Sequence, residues 1–200
     1  RVIQLGENPK NVHVVGGLGV DSLMKTKLLT KSELEKKYNF IFRKKNFLVC
    51  FHPETSSNVS TKKQINEILS ALKELKDSLI IFTMPGADLG NKIIKKEIKK
   101  FVKINKNSFF RESLGQVNYF SFLKQVDAII GNSSSGILEM PYFKKATLNL
   151  GNRQFGRLCS QSVINIRIKK NDILKSIKKI SLPNFYKRIK NSKKFYGKGG

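Results

Sequence analysis

The sequence predicts an α/β fold built on one parallel sheet with helices on both faces, and three features carry that expectation. Short apolar runs rich in β-branched and aromatic residues recur along the chain; amphipathic helical patterns separate them; and several of the runs end in clusters of small polar residues.

The apolar runs are Val12–Val15, Phe47–Phe51, Leu79–Thr83, Ala128–Ile130, Ala146–Leu150 and Val163–Ile166, each taken as a strand. Between the second and third, Ile65, Ile68, Leu69, Leu72 and Leu75 repeat at three- and four-residue spacing with Lys and Glu filling the other face, which predicts a crossover helix. Ile93, Ile94, Ile98 and Phe101 predict another, and Phe120, Phe122, Leu123 and Val126 a shorter one. Asn171–Lys179 and Pro183–Lys194 read as two helices broken at Pro183, because proline cannot continue the hydrogen-bond ladder. Ahead of the sheet, Gly16-Gly17-Leu18-Gly19 leads into a Lys-rich helical stretch from Ser22 to Lys37. This GGLG turn either holds a phosphate or serves as a bend between domains, and it has neither dinucleotide-fingerprint nor Walker spacing.

The 200 residues suffice for one full domain with its own core and a short attached piece. We divide them into 1–21, the end of a preceding domain or hinge; 22–46, a linker helix region; 47–194, the ligand-binding domain; and 195–200, a truncated tail. The chain begins without Met and stops at Lys198-Gly199-Gly200, and so reads as a fragment of a longer protein.

Lys and Arg number 39 against 14 Asp and Glu, a formal charge of +25 that raises a polyanion partner. The excess is mostly Lys on the polar faces of amphipathic helices, and no alternation of basic and aromatic residues marks a nucleic-acid surface. Neither nucleic acid nor membrane is expected as a partner. Cys50 and Cys159 have no companion at metal-ligand or disulfide spacing, and the apolar stretches fall well short of the roughly 20 residues that span a bilayer. A reducing cytoplasm is the expected location, and no metal site is expected.

The chemistry concentrates at Gly131–Glu139 (GNSSSGILE). A strand that feeds a helix through Gly131-Asn132-Ser133-Ser134-Ser135-Gly136 leaves unpaired backbone N–H groups at the helix start, where hydroxyls and the helix dipole add to anion binding. Glu139, about one turn further on, would repel a phosphate but suits the paired hydroxyls of a ribose. The plain alternative is a serine cap beside a surface Glu139. His52 follows an apolar strand directly and is held by Pro53, which places it at the carboxyl edge of a parallel sheet, where ligands collect in open α/β folds. Glu54 next to it reads as solvated. The loops Thr83–Gly90 and Asn149–Arg157 should share that rim, and Arg153 and Arg157 stand out in a chain whose cations are mainly Lys, either as a bidentate anion clamp or as surface residues.

These segments, FHPET, FTMPGADLGN and SLGQVNYFSFLKQVDAIIGNSSSGILEMPYFKKATLNLGNRQFGR, resemble the hydrolysing UDP-N-acetylglucosamine 2-epimerases of sialic-acid-type sugar pathways over nearly the whole chain. The resemblance implies a Rossmann-like domain forming the carboxyl-terminal half of a two-domain, glycosyltransferase-B-like fold. It implies a reaction that eliminates UDP from a UDP-sugar and then hydrates the resulting glucal, with no dissociable cofactor. Carried over residue by residue, His52 would approach the diphosphate and is the catalytic candidate. Ser133 and Ser134 would bind the diphosphate beside Ser135 and Gly136, Glu139 would accept from the ribose, Arg153 would complete the pocket, and Ser113 and Leu114 would lie along the uracil and ribose. Family members usually carry Asn where this chain has Gly86, which offers no side chain. The proton-moving carboxylates belong to the amino-terminal domain, so the fragment should bind without turnover, as part of a protein expected to be homo-oligomeric. A glycosyltransferase of the same architecture and a basic nucleic-acid-binding module are the competing readings.

Overall fold

A computed structural model of the chain describes residues 1–54, 57–84 and 90–197. Its centre is a six-stranded sheet: β1 Lys45–Cys50, β2 Ser78–Thr83, β3 Ser108–Arg111, β4 Ala128–Gly131, β5 Ala146–Leu150 and β6 Val163–Ile166. Every neighbouring pair is parallel and the order is β3-β2-β1-β4-β5-β6. Successive crossovers run outward from β1 to β3, then return across to β4 and run outward the other way. That reversal leaves a crevice at the carboxyl ends of β1 and β4.

Strand alternation sends side chains into two cores. Phe47, Val49, Phe51, Ile80, Phe82 and Ile130 meet α3 (Thr61–Leu72), α4 (Asn91–Ile104), α7 (Lys170–Ile180) and α8 (Pro183–Lys190). Leu48, Leu79, Ile81 and Ile129 point to the opposite face, against α1 (Leu18–Lys25), α2 (Lys31–Tyr38) and α5 (Gly115–Gln125). Burial on both faces is why these strands are nearly continuous apolar runs. The remaining α-helix, α6, is the single turn Ser135–Leu138.

Three expectations are corrected. Val12–Val15 is not a strand: no described strand pairs with it, and Val14 and Val15 are 99% and 83% exposed. Apolar β-branched composition cannot make a strand without a neighbouring edge to pair with. Conversely, β3 was unanticipated; it is short and half-buried at the sheet edge, so its apolar signal is only Phe109-Phe110. Phe109 finds its place in an aromatic group with Tyr38, Phe40 and Phe122. Finally, the Ser22–Lys37 stretch is two helices rather than one.

The break lies at Thr30, whose side chain accepts from the Glu33 N–H while the Glu33 carboxylate accepts from the Thr30 N–H at 2.7 Å. This reciprocal box satisfies two otherwise unpaired donors, and the bonds the Glu33 carboxylate accepts from the Thr30 N–H and hydroxyl hold it below its ordinary value. We predict that Thr30→Ala destabilises the domain by about 1 kcal/mol, read as a lower urea midpoint with an unchanged slope.

Candidate functional site

The crevice opens into a cavity of about 390 Å³ lined by Cys50, His52, Ser113, Leu114, Tyr119, Ser133 and Ser135, among others. Five of the residues singled out in the sequence thus line one cavity: His52 after β1, Ser113 and Leu114 just before α5, and Ser133 and Ser135 after β4.

How the chain reaches this geometry is set at the ends of β1 and β4. Gly131 has φ +148°, and a Cβ there would overlap the Cys50 carbonyl, its register partner on β1. Asn132 follows, fully buried, with its amide oxygen accepting the His52 N–H at 2.7 Å and its amide nitrogen donating to the His52 carbonyl at 2.9 Å. One side chain therefore imitates a sheet partner for the residue just beyond β1 and fixes its backbone. Asn132 is the site residue that sequence reasoning passed over; the only local hint was a polar residue following an apolar strand.

The helical pattern that Ile137, Leu138, Tyr142 and Phe143 suggest after Gly136 is interrupted. After the α6 turn the chain takes a 3-10 turn, Met140–Phe143, because Pro141 has no N–H to donate back, and Lys144 turns it out with a left-handed φ of 54°. A one-turn helix has little dipole, so anion binding falls to individual donors. The backbone N–H groups of Ser133 and Ser134 have no partner among the described residues. Gly136 faces the sheet instead of the cavity: its carbonyl accepts the Thr147 hydroxyl at 2.6 Å, and a Cβ would come within 2.5 Å of Thr147 Cγ2.

Among the described residues that line the cavity, Glu112 is the one carboxylate. Burial pushes the Cys50 thiol above its usual value and the Tyr119 phenol far above its own, so both present neutral groups. Glu112, at the rim, is paired with Lys95, whose ammonium holds its carboxyl below the ordinary range.

Glu139 lies deeper, 7% exposed, with Oε2 unpartnered among the described residues, and burial raises its carboxyl above the ordinary value. The GGLG segment has a defined place beside it. Gly17 caps α1 and donates to the Tyr196 carbonyl at 2.9 Å, and a Cβ on Gly19 would stand 2.9 Å from Glu139 Oε1. The segment therefore packs over the carboxylate.

Arg153 reaches Asn132 from the loop after β5. Its Nη1 donates to the Asn132 carbonyl at 3.2 Å, and buried Gln154 donates to the same oxygen at 2.7 Å. Arg157, in the same turn, is exposed. Glu54 is not merely solvated as its sequence context suggested, for it accepts from the backbone of this loop. Gly86 lies outside the described residues. Among those described, no group of three or more His, Cys, Asp and Glu could hold a metal, and no helix is long and apolar enough to cross a membrane.

Comparison with known proteins places this geometry in context. The polysialic acid biosynthesis protein P7 of Escherichia coli is 42% identical over 178 residues, which are 88% of this chain and 45% of that protein. The GDP/UDP-N,N'-diacetylbacillosamine 2-epimerase (hydrolyzing) of Campylobacter jejuni is 36% identical over 187 residues, 92% of this chain and 48% of that one. The chain thus spans about half the length of these relatives. A structure of S. aureus MnaA with UDP superposes with a TM-score of 0.75 at 21% identity, covering 99% of this chain and 52% of that one, a likeness of fold. The family model described as UDP-N-acetylglucosamine 2-epimerase matches residues 1–200, end to end, and with the Rossmann-like sheet and the donor-lined crevice it settles the assignment: the chain belongs to the UDP-N-acetylglucosamine 2-epimerase family.

Proposed function

We propose that this chain is the UDP-binding, carboxyl-terminal half of a hydrolysing 2-epimerase of glycosyltransferase-B-like architecture, acting on a UDP-linked 2-acetamido sugar. The observation that carries the reading is the pairing of two free N–H groups, on Ser133 and Ser134, with a buried, half-unpartnered carboxylate at Glu139. Donors suit a diphosphate; an acceptor a turn away suits the vicinal hydroxyls of a ribose. Ser113 and Leu114, across the same cavity, line the place for the base and ribose.

In the reaction, a base removes the proton from sugar carbon 2, the bond from carbon 1 to the diphosphate oxygen breaks, and its electron pair leaves with UDP. Water then adds at carbon 1 of the glucal and a proton returns to carbon 2, giving the free 2-epimeric sugar. The part of this chain is to stabilise the departing charge: His52, Ser133, Ser134 and Arg153 meet the diphosphate as negative charge grows on it. The groups that move protons on the sugar come from the amino-terminal half, the sugar belongs to a sialic-acid-type pathway, and the setting is the reducing cytoplasm in which Cys50 and Cys159 stay free.

Two measurements test the reading. Calorimetry with the 200-residue chain should show saturable one-to-one UDP binding; none at millimolar UDP overturns it. The whole protein, given UDP-N-acetylglucosamine or UDP-N,N'-diacetylbacillosamine and no acceptor, should release UDP and a free acetamido sugar. Turnover only with an added acceptor would favour a glycosyltransferase.

A further inference from the structure

Glu54 occupies a position that its sequence context does not suggest. Its Oε1 accepts the backbone N–H of Arg153 at 2.9 Å and that of Asn152 as well. Gly151, with φ +70°, lies so close that a Cβ there would overlap the Glu54 carboxylate, standing 2.6 Å from its carbon. The glutamate is itself held in place: buried Gln64 on α3 accepts its N–H at 3.3 Å. One residue back, Pro53 is buried, and the His52 backbone is paired with Asn132 on both its N–H and its carbonyl.

These bonds close a ring. His52 is tied to Asn132, the Asn132 carbonyl to the Arg153 guanidinium, and the Arg153 backbone to Glu54, two residues from His52. Arg153 is thereby gripped at both ends, its main chain by Glu54 and its guanidinium by Asn132. Only Nη1 is engaged among the described residues, so the guanidinium keeps donors available next to the free N–H groups of Ser133 and Ser134. Apart from buried Gln154, the loop bearing Arg153 is exposed, with Asn152, Phe155 and Gly156 all on the surface. An exposed Gly-bounded turn samples many conformations, and a carboxylate that accepts two consecutive N–H groups restricts it to one.

We propose that Glu54 is a positioning residue for the diphosphate: it touches no ligand, and it sets the Arg153 guanidinium against the phosphate oxygens through the loop backbone. The proposal rests on the UDP reading above and is separable from it by experiment. Affinities for UDP and for uridine, which has no phosphate, are measured by calorimetry on the chain and on Glu54→Ala, Glu54→Gln, Arg153→Ala and the Glu54→Ala/Arg153→Ala double variant. Glu54→Ala should weaken UDP about tenfold and leave uridine unchanged, which also reports that the domain remains folded. Glu54→Gln keeps an oxygen acceptor and should stay within about threefold of the parent. In the double variant, loss of Glu54 should add nothing to loss of Arg153.

An Arg153→Ala variant that loses UDP affinity while Glu54→Ala does not would overturn the positioning role and leave the UDP reading standing. Equal losses for UDP and uridine in Glu54→Ala, or additive losses in the double variant, would also overturn it. A parent chain that binds no UDP removes both.

Discussion

Glu139→Gln should yield a protein that is harder to unfold at pH 7 and holds UDP at least tenfold more weakly. Both effects have one source. The carboxylate is buried with one oxygen unpartnered, a situation that costs about 1–3 kcal/mol when no ligand satisfies it. Burial raises the carboxyl above its ordinary value, so between the unfolded value, about 4.3, and the raised one the folded state binds more protons than the unfolded. Stability therefore falls as pH rises through that window, and the loss persists above it. Glutamine has no charge to desolvate, so the stability difference between variant and parent should open from the acid side of the window upward. Urea unfolding at pH 4 and pH 7 measures it; a gap that closes toward pH 7 would contradict this account.

UDP should show the opposite dependence. Ribose hydroxyls donate best to the ionised carboxylate, so binding draws a proton off Glu139 and the parent's affinity should rise with pH across the same window. The Gln variant should be flat. The trade of stability for affinity is common at binding sites, where a group is left unsatisfied until the ligand arrives.

The second large effect is expected at Gly131. Gly131→Ala should destabilise the domain by about 3 kcal/mol or more, seen as a marked drop in melting temperature. The added Cβ meets the Cys50 carbonyl, a backbone atom that cannot rotate aside, at a φ of +148° that side-chain-bearing residues rarely adopt. The strands β1 and β4 lie side by side here, Cys50 opposite Gly131, and the chain must turn at once into Asn132 and the serines. Relief by separating the strands would break the Asn132–His52 pairing, so nucleotide affinity should fall along with stability. An alanine variant with parental melting behaviour would show that the two strands are less tightly apposed than described.

Much of the fold was legible because its determinants are local. β1, β2, β4 and β5 are buried on both faces, so each appears as a largely apolar run, interrupted in β5 by Thr147 and Asn149, and the helices α3 and α4 show their buried stripes at three- and four-residue spacing. The GNSSSG segment was legible for the same reason: small polar residues directly after such a run mark a strand end that faces a ligand rim. His52 and the serines do line one cavity. What was misread had no local signature. Val12–Val15 has strand composition and no edge to join, and β3 has an edge to join and little strand composition.

The sequence by itself determined the class of fold, the strands that build its centre and the strand ends that gather His52 and the serines around one cavity, since periodicity and strand-end chemistry are written within a few consecutive residues. Only the tertiary structure decided how that rim is held. Asn132 pairs with a residue 80 positions away, and Glu54 with residues 98 and 99 positions away. Those bonds form because the reversal of strand order brings the ends of β1, β4 and β5 together. No pattern along the chain encodes that adjacency, and through it an unremarked asparagine and a glutamate that looked solvated come to fix His52 and Arg153.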